Sequence, residues 1–249
     1  MSSESPIGVD IGGTGIKVAP VDLVKGVLAG ERRREATPSP ATPAAVAAIV
    51  ASSVAAIGGS GPVGLTMPSV VVDGVVKTAS NIDASWIGTD AASLFAKATG
   101  RRVGVINDAD AAGMAEMRYG AGVGHDGVVV LITLGTGIGS ALFVHGELVP
   151  NTELGHLRLH HGAAEDWAAE SVREREDLSW SEWARRISKY LEELESLFSP
   201  TLFIVGGGVS KKSDKFLPLI ECVTPVRVAQ LYNDAGIVGA AMIAPSEPA

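Results

Sequence analysis

The sequence of 249 residues contains one cysteine, Cys222, which rules out an internal disulfide and any multi-cysteine zinc site. Aromatic residues make up only 5% of the chain and charged residues only 19%. No window approaches a run of apolar residues long enough to cross a bilayer, so no membrane span is expected. The N-terminus has no basic segment followed by an apolar stretch, because Asp10 interrupts the first apolar run, and a cytoplasmic protein is expected. Positive charge is scarce as well. Twenty Lys and Arg stand against 28 Asp and Glu, a net charge of −8, which argues against a nucleic-acid partner. Local anion sites are still allowed, since a few backbone amides and one or two cations suffice to build one.

Glycine is what the chain has in quantity, 30 residues of it, many in short clusters that close apolar runs. With 46% apolar residues the chain can bury a sizeable core. Strands are expected at Pro6–Ile11, Ile16–Val21 and Val27–Arg34, joined by tight turns. After the prolines at 38, 40 and 43 the Ala/Val-rich stretch Ala44–Ile57 reads as a helix. Short strands follow at Val63–Thr66 and Val70–Lys77, then a helix over Thr89–Ala98, a strand at Arg102–Ile106 and a helix from Asp108 to Arg118. The apolar run Val128–Leu134 and the run Ser140–Val144 are strands, and Trp180–Phe198 repeats apolar residues at helical spacing. Thr201–Val205 is a strand, Lys211–Ile220 is partly helical with a break near Pro218, and Gly236–Ala244 is a small-residue helix. Strands followed by alternating helices and strands define an α/β fold.

One string occurs twice. Gly13-Thr14-Gly15-Ile16 and Gly135-Thr136-Gly137-Ile138 lie 122 residues apart, each between strand-like runs. This predicts two similar lobes, each with one glycine-rich hairpin facing a shared cleft. Such turns expose backbone N–H groups to phosphate oxygens, and Thr14, Thr136 and Lys17 add donors. Neither loop matches a P-loop or the dinucleotide fingerprint, which argues against an oxidoreductase. Asp10, at the end of the first strand, is placed to hold Mg²⁺ directly or through water, or else to cap its own turn.

Asn107-Asp108-Ala109-Asp110 follows a strand and opens a helix. Both Asn107 and Asp108 suit a helix cap, yet transfer of a phosphoryl group to an alcohol also needs a carboxylate that accepts the hydroxyl proton. Asp108 is the better candidate, because Asp110 points elsewhere round the helix. In Glu153-Leu154-Gly155-His156, the Glu and His suit hydrogen bonds to neighbouring sugar hydroxyls. A zinc site is disfavoured there, because His160 and His161, which read as a surface turn, are the nearby additional ligands.

Together these motifs, from Asp10–Lys17 through Asn107–Asp110 and Leu134–Gly139 to Glu153–His156 and Val205–Ser210, resemble the ROK family of sugar kinases. The resemblance runs from about Ile7 to Ala244. Asn81–Thr89, Arg118–Gly122, Pro150–Glu153 and Ala235–Ala241 are most similar to its polyphosphate-using glucokinases. The resemblance implies an actin-like ATPase (RNase H-like) fold, two lobes around a central cleft. Residues 1–107 would form the small lobe and 108–249 the large one, with the C-terminal helix free to pack back on the small lobe.

The resemblance further implies glucose or mannose as acceptor, polyphosphate or ATP as donor, and Mg²⁺. The alternatives are a strictly ATP-dependent glucokinase and a kinase for another hexose. Asp108 would be the base on the 6-hydroxyl, with Asn81, Asn107, Glu153, His156 and Glu165 on the other hydroxyls. Gly12, Gly13, Thr14, Gly15 and Lys17 would bind phosphate with Gly135, Thr136, Gly137 and Gly139, and Gly206, Gly207 and Gly208 would lie on the adenosine side. Most of the family has a cysteine-rich zinc motif after Glu-x-Gly-His. Leu157–Gly162 has no cysteine, so no zinc is expected. The first glycine loop begins by Gly12, so a repressor with a preceding DNA-binding domain is not expected. An actin-like nucleotide switch without a sugar acceptor would lack the Asn107-Asp108 and Glu153–His156 groups. A homodimer is among the assemblies left open.

Overall fold

A computed structural model of the chain describes residues 5–80, 82–159 and 162–245. Asn81 and the pair His160-His161, for which the sequence suggested roles, lie outside the described residues. The chain forms two compact units, one running to Ala115 and resumed at Asp234, the other spanning Glu116–Asn233.

The first unit contains β1 (Ile7–Ile11), β2 (Gly15–Asp22), β3 (Val27–Leu28), β4 (Arg33–Ala36), helix α1 (Pro43–Ile57), β5 (Val63–Met67), the small hairpin β6 (Val71–Val72) and β7 (Val75–Val76), α2 (Ala91–Thr99), β8 (Val103–Asn107) and the start of α3 (Asp108–Tyr119). Its sheet runs β3-β2-β1-β5-β8, with β4 also on β2. The strand expected over Val27–Arg34 is therefore two strands, separated by a bend at Ala29-Gly30 and both antiparallel to β2. Ile7, Val9 and Ile11 alternate along β1 onto one face. There they bury the Val46, Val50 and Val54 stripe of α1, a helix that Thr42 caps and Gly58 ends.

The second unit holds β9 (Val128–Leu134), β10 (Ile138–Val144), β11 (Glu147–Val149), the short pair β12 (Arg158–Leu159) and β13 (Gly162–Ala163), α4 (Glu165–Ala168), α5 (Glu170–Arg175), α6 (Trp180–Phe198), β14 (Leu202–Gly206) and β15 (Val226–Val228). Its sheet runs β11-β10-β9-β14-β15, the same order and the same senses as the first sheet. The repeated Gly-Thr-Gly-Ile string closes the equivalent antiparallel hairpin each time. A capping box of Ser179 and Glu182 starts α6. From there its Trp183, Ile187, Tyr190 and Leu194 pack on Val130, Ile132, Phe203 and Val205.

Helix α7 (Ala235–Met242) returns to the first unit and packs on β1, β5 and β2. The division therefore falls after Ala115 and again before Asp234, not at 107/108. Helix α3 continues straight from β8, and α7 contributes its core to the first sheet. A row of register partners, Gly8, Gly64 and Gly104, crosses the parallel strands beneath α7. A Cβ at these positions would collide with the carbonyls of Ile237, Ala240 and Ile243, so the helix backbone lies directly on the sheet.

Candidate active site

The sequence-predicted residues fall into a cluster in each unit. In the first, Ile11 pairs with Ile16 and the turn between them leaves Gly13 and Thr14 exposed at its tip. Gly12 N–H donates to the Gly15 carbonyl at 3.0 Å, and Thr37 Oγ1 donates to the Gly12 carbonyl at 2.6 Å. Beside the turn, Asp10 pairs across the strands with Lys17 and with Thr66. Lys17 Nζ lies 2.7 Å from Asp10 Oδ2, and Thr66 Oγ1 donates to Asp10 Oδ1 at 3.1 Å. The carboxylate also lies against Gly236 in the first turn of α7, where a Cβ would crowd it and the helix dipole favours a negative charge.

Each Asp10 oxygen already has one partner, which leaves further lone pairs on the carboxylate. Among the described residues no group of three or more His, Cys, Asp or Glu side chains is placed to hold a metal ion by itself. Lys17, expected on phosphate, is ion-paired with Asp10.

Asn107 ends β8 and Asp108 opens α3. Asn107 Oδ1 accepts from Ala109 N–H at 2.8 Å and Asp110 N–H at 3.1 Å, and its Nδ2 donates to the Ser69 carbonyl at 3.2 Å. The side chain is therefore the cap of α3, with one N–H left beyond these bonds. Asp108 Oδ1 accepts from Ala109 N–H at 2.9 Å, and the side chain is half-buried at the strand end. Asp110 is fully buried.

In the second unit Leu134 pairs with Ile138 around Gly135-Thr136-Gly137. The first turn of α5 pins this hairpin, because Ser171 N–H donates to the Gly135 carbonyl at 3.0 Å and Ser171 Oγ to the Thr136 carbonyl at 2.6 Å. Glu165 joins the hairpin to the polar cluster. Its Oε2 accepts from Ile138 N–H at 3.3 Å, while its Oε1 lies 3.2 Å from His156 Nε2. His156 Nδ1 is 3.9 Å from Glu153 Oε2. The structure thus brings Glu153, His156 and Glu165 together. Burial raises the Glu153 carboxyl above the ordinary glutamate value; His156 opposes that shift and the neighbouring Glu165 charge adds to it.

The third glycine loop follows β14. Gly207 has φ 88°, and a Cβ there would strike the backbone of Leu134, so this loop packs against the root of the second hairpin. Cys222 takes no part in this chemistry. Burial, with a hydrogen bond to Glu195, pushes its thiol up to about 12. Sequence reasoning missed Thr66, Ser171 and Arg34. Arg34 lies over Gly15, with its Nη2 3.5 Å from the Thr14 carbonyl. The Arg32-Arg33-Arg34 run was its one available signal.

Two like sheets, each closing a glycine hairpin beside a cluster of polar side chains, define an α/β protein of the actin-like ATPase (RNase H-like) class. A model described as the ROK family matches residues 6–170, and the chain belongs to that family. It is 52% identical over 236 residues to the polyphosphate glucokinase of Mycobacterium tuberculosis (strain CDC 1551 / Oshkosh), covering 94% of this chain and 89% of that protein. The crystal structure of inorganic polyphosphate/ATP-glucomannokinase from Arthrobacter sp. strain KM superposes with a TM-score of 0.93 at 53% identity, covering 96% and 97% of the two chains. A ROK family glucokinase from Streptomyces griseus, in complex with glucose and AMPPNP, matches with a TM-score of 0.84 at 30% identity, covering 96% and 99%.

Proposed function

We propose that this protein transfers the terminal phosphoryl group of polyphosphate or ATP to the 6-hydroxyl of glucose, with Asp108 as base. Asp108 takes the hydroxyl proton as O6 attacks the terminal phosphorus. The bond to the bridging oxygen breaks, releasing glucose 6-phosphate and the shortened polyphosphate or ADP. Glu153, His156 and Glu165 hold the other hydroxyls, and the two hairpins offer backbone N–H groups to the phosphate oxygens. Mg²⁺, held through water by Asp10, would supply neutralising charge on the donor when bound.

The observation that carries this reading is Glu165, which binds both the second hairpin and the imidazole of His156. Groups suited to a phosphate chain and groups suited to sugar hydroxyls are thereby held as one piece, the arrangement that transfer between the two requires. Mannose is a second acceptor in this reading, the cytoplasm its compartment, and a homodimer the assembly to look for in solution. The test is glucose 6-phosphate formation with Mg²⁺, polyphosphate and ATP being supplied separately. Product from ATP alone would reduce the protein to an ATP-dependent glucokinase. Product from neither would overturn the acceptor.

A further inference from the structure

We infer that Arg34, rather than Lys17, supplies the positive charge that the first glycine hairpin offers to the donor's phosphates. The inference rests on the kinase reading above and concerns a phosphoanhydride chain, whether polyphosphate or a nucleoside triphosphate.

Strand register sets the residues concerned in one row. Thr66, Asp10, Lys17 and Arg34 are successive cross-strand partners on β5, β1, β2 and β4, so their side chains share a face of the sheet. Within that row Lys17 Nζ and Asp10 Oδ2 pair at 2.7 Å and their charges offset. Arg34 ends the row and reaches along the hairpin. A Cβ at Gly15 would press on its guanidinium at 2.9–3.1 Å, so the glycine leaves the groove in which this side chain lies. Its Nη2 comes 3.5 Å from the carbonyl of Thr14, the exposed residue at the hairpin tip.

The neighbouring arginines are used elsewhere. Arg32 pairs with Asp234 at 2.7 Å, and Arg33, one residue out of phase on β4, lines a separate hollow with Glu31 and Gly58. Glu35 points to the opposite face for the same reason. Among the described residues Arg34 forms no ion pair, and its side chain is exposed. A guanidinium keeps its charge at any working pH and presents a planar fork of N–H groups. That fork matches two oxygens of a phosphate, whereas an ammonium already closed on a carboxylate does not.

The test uses Arg34→Gln, which removes the charge but keeps a hydrogen-bonding side chain, and Arg34→Lys, which keeps the charge. Initial rates are measured against polyphosphate and against ATP over a range of salt. The donor KM of Arg34→Gln is expected to rise about ten- to a hundredfold, as for a lost charge-assisted hydrogen bond. Its dependence on salt should become shallower, and the KM for glucose should not change. Arg34→Lys should recover most of the donor affinity.

A donor KM and salt slope unchanged in Arg34→Gln would overturn the inference. So would equal losses in both variants accompanied by a fall in the unfolding temperature, which would make Arg34 a brace of the hairpin. If wild-type protein makes no glucose 6-phosphate from either donor, the kinase reading fails by itself. Calorimetric titration of tripolyphosphate into wild type and Arg34→Gln then decides the role of Arg34: weaker binding by the variant supports it, and equal binding or none to either removes it.

Discussion

Beside the first hairpin the partnered residues form a polar row, Lys17, Asp10 and Thr66, whereas the corresponding row beside the second is Gly139, Thr133 and Gly206. Strand order, senses and turn are the same in both, so the ladder and the core set the fold without fixing what stands next to the turn. The first unit builds charge into its strands and places Arg34 over the tip. The second leaves its strands nearly bare and borrows Ser171 and Glu165 from helices. The cores differ in the same way. Three residues before its hairpin the first sheet has Gly8 where the second has Leu131, and Gly64 stands where the second has Ile204. A helix backbone needs that room in the first sheet. The second fills the equivalent positions with side chains.

The largest expected effect lies at the point where the units differ most in chemistry. Asp108→Asn should lower kcat on the order of 10²- to 10⁴-fold, the worth of a positioned base, while calorimetry finds glucose binding nearly unchanged. Near-normal turnover would take the base role from Asp108 and leave the second unit's cluster as the place to look.

The core comparison sharpens with Gly64→Val. A branched residue is native at Ile204 in the second sheet, but in the first it would meet the Ala240 carbonyl of α7. A loss of about 1–3 kcal/mol is expected, read as a lower unfolding temperature. No loss would mean that α7 can lift off its sheet.

Glu153→Gln should raise the KM for glucose about tenfold, since one hydrogen bond to a charged acceptor becomes a neutral one. The KM for the donor should hold. Equal changes in both would erase the division between a cluster for the sugar and hairpins for the phosphates.

The smallest effect concerns acid. In the proposed reading Glu153 accepts a glucose hydroxyl only when ionised, and burial, helped by the Glu165 charge, sets its pKa above the ordinary 4.5. Affinity should therefore fall on acidification at a higher pH than an ordinary glutamate would give. In Glu165→Gln one of the raising causes is gone, so that fall should move to lower pH, as a pH series of glucose KM would report. Movement to higher pH would show that Glu165 acts on Glu153 chiefly through His156, whose positive charge lowers the carboxyl.

Much of this was legible in one dimension. Apolar alternation in β1 and the helical spacing of Trp183, Ile187, Tyr190 and Leu194 are local patterns dictated by burial. The repeated Gly-Thr-Gly-Ile string marked both hairpins, because a tight turn beside a strand restricts the residue types allowed. Short elements such as β11, β15 and α4 carried no such pattern, since three or four residues have no period to display.

The sequence by itself therefore determined the α/β class, the twofold repeat, the family and the residue types at each loop. Tertiary structure alone decided what those residues do to one another. Lys17 is closed on Asp10, Glu165 reaches from α4 to a hairpin 27 residues earlier, and Arg34 comes to lie over Gly15. Each depends on register between strands or on packing between elements. Pairing of that kind is a property of distance in space, and residue order alone does not contain it.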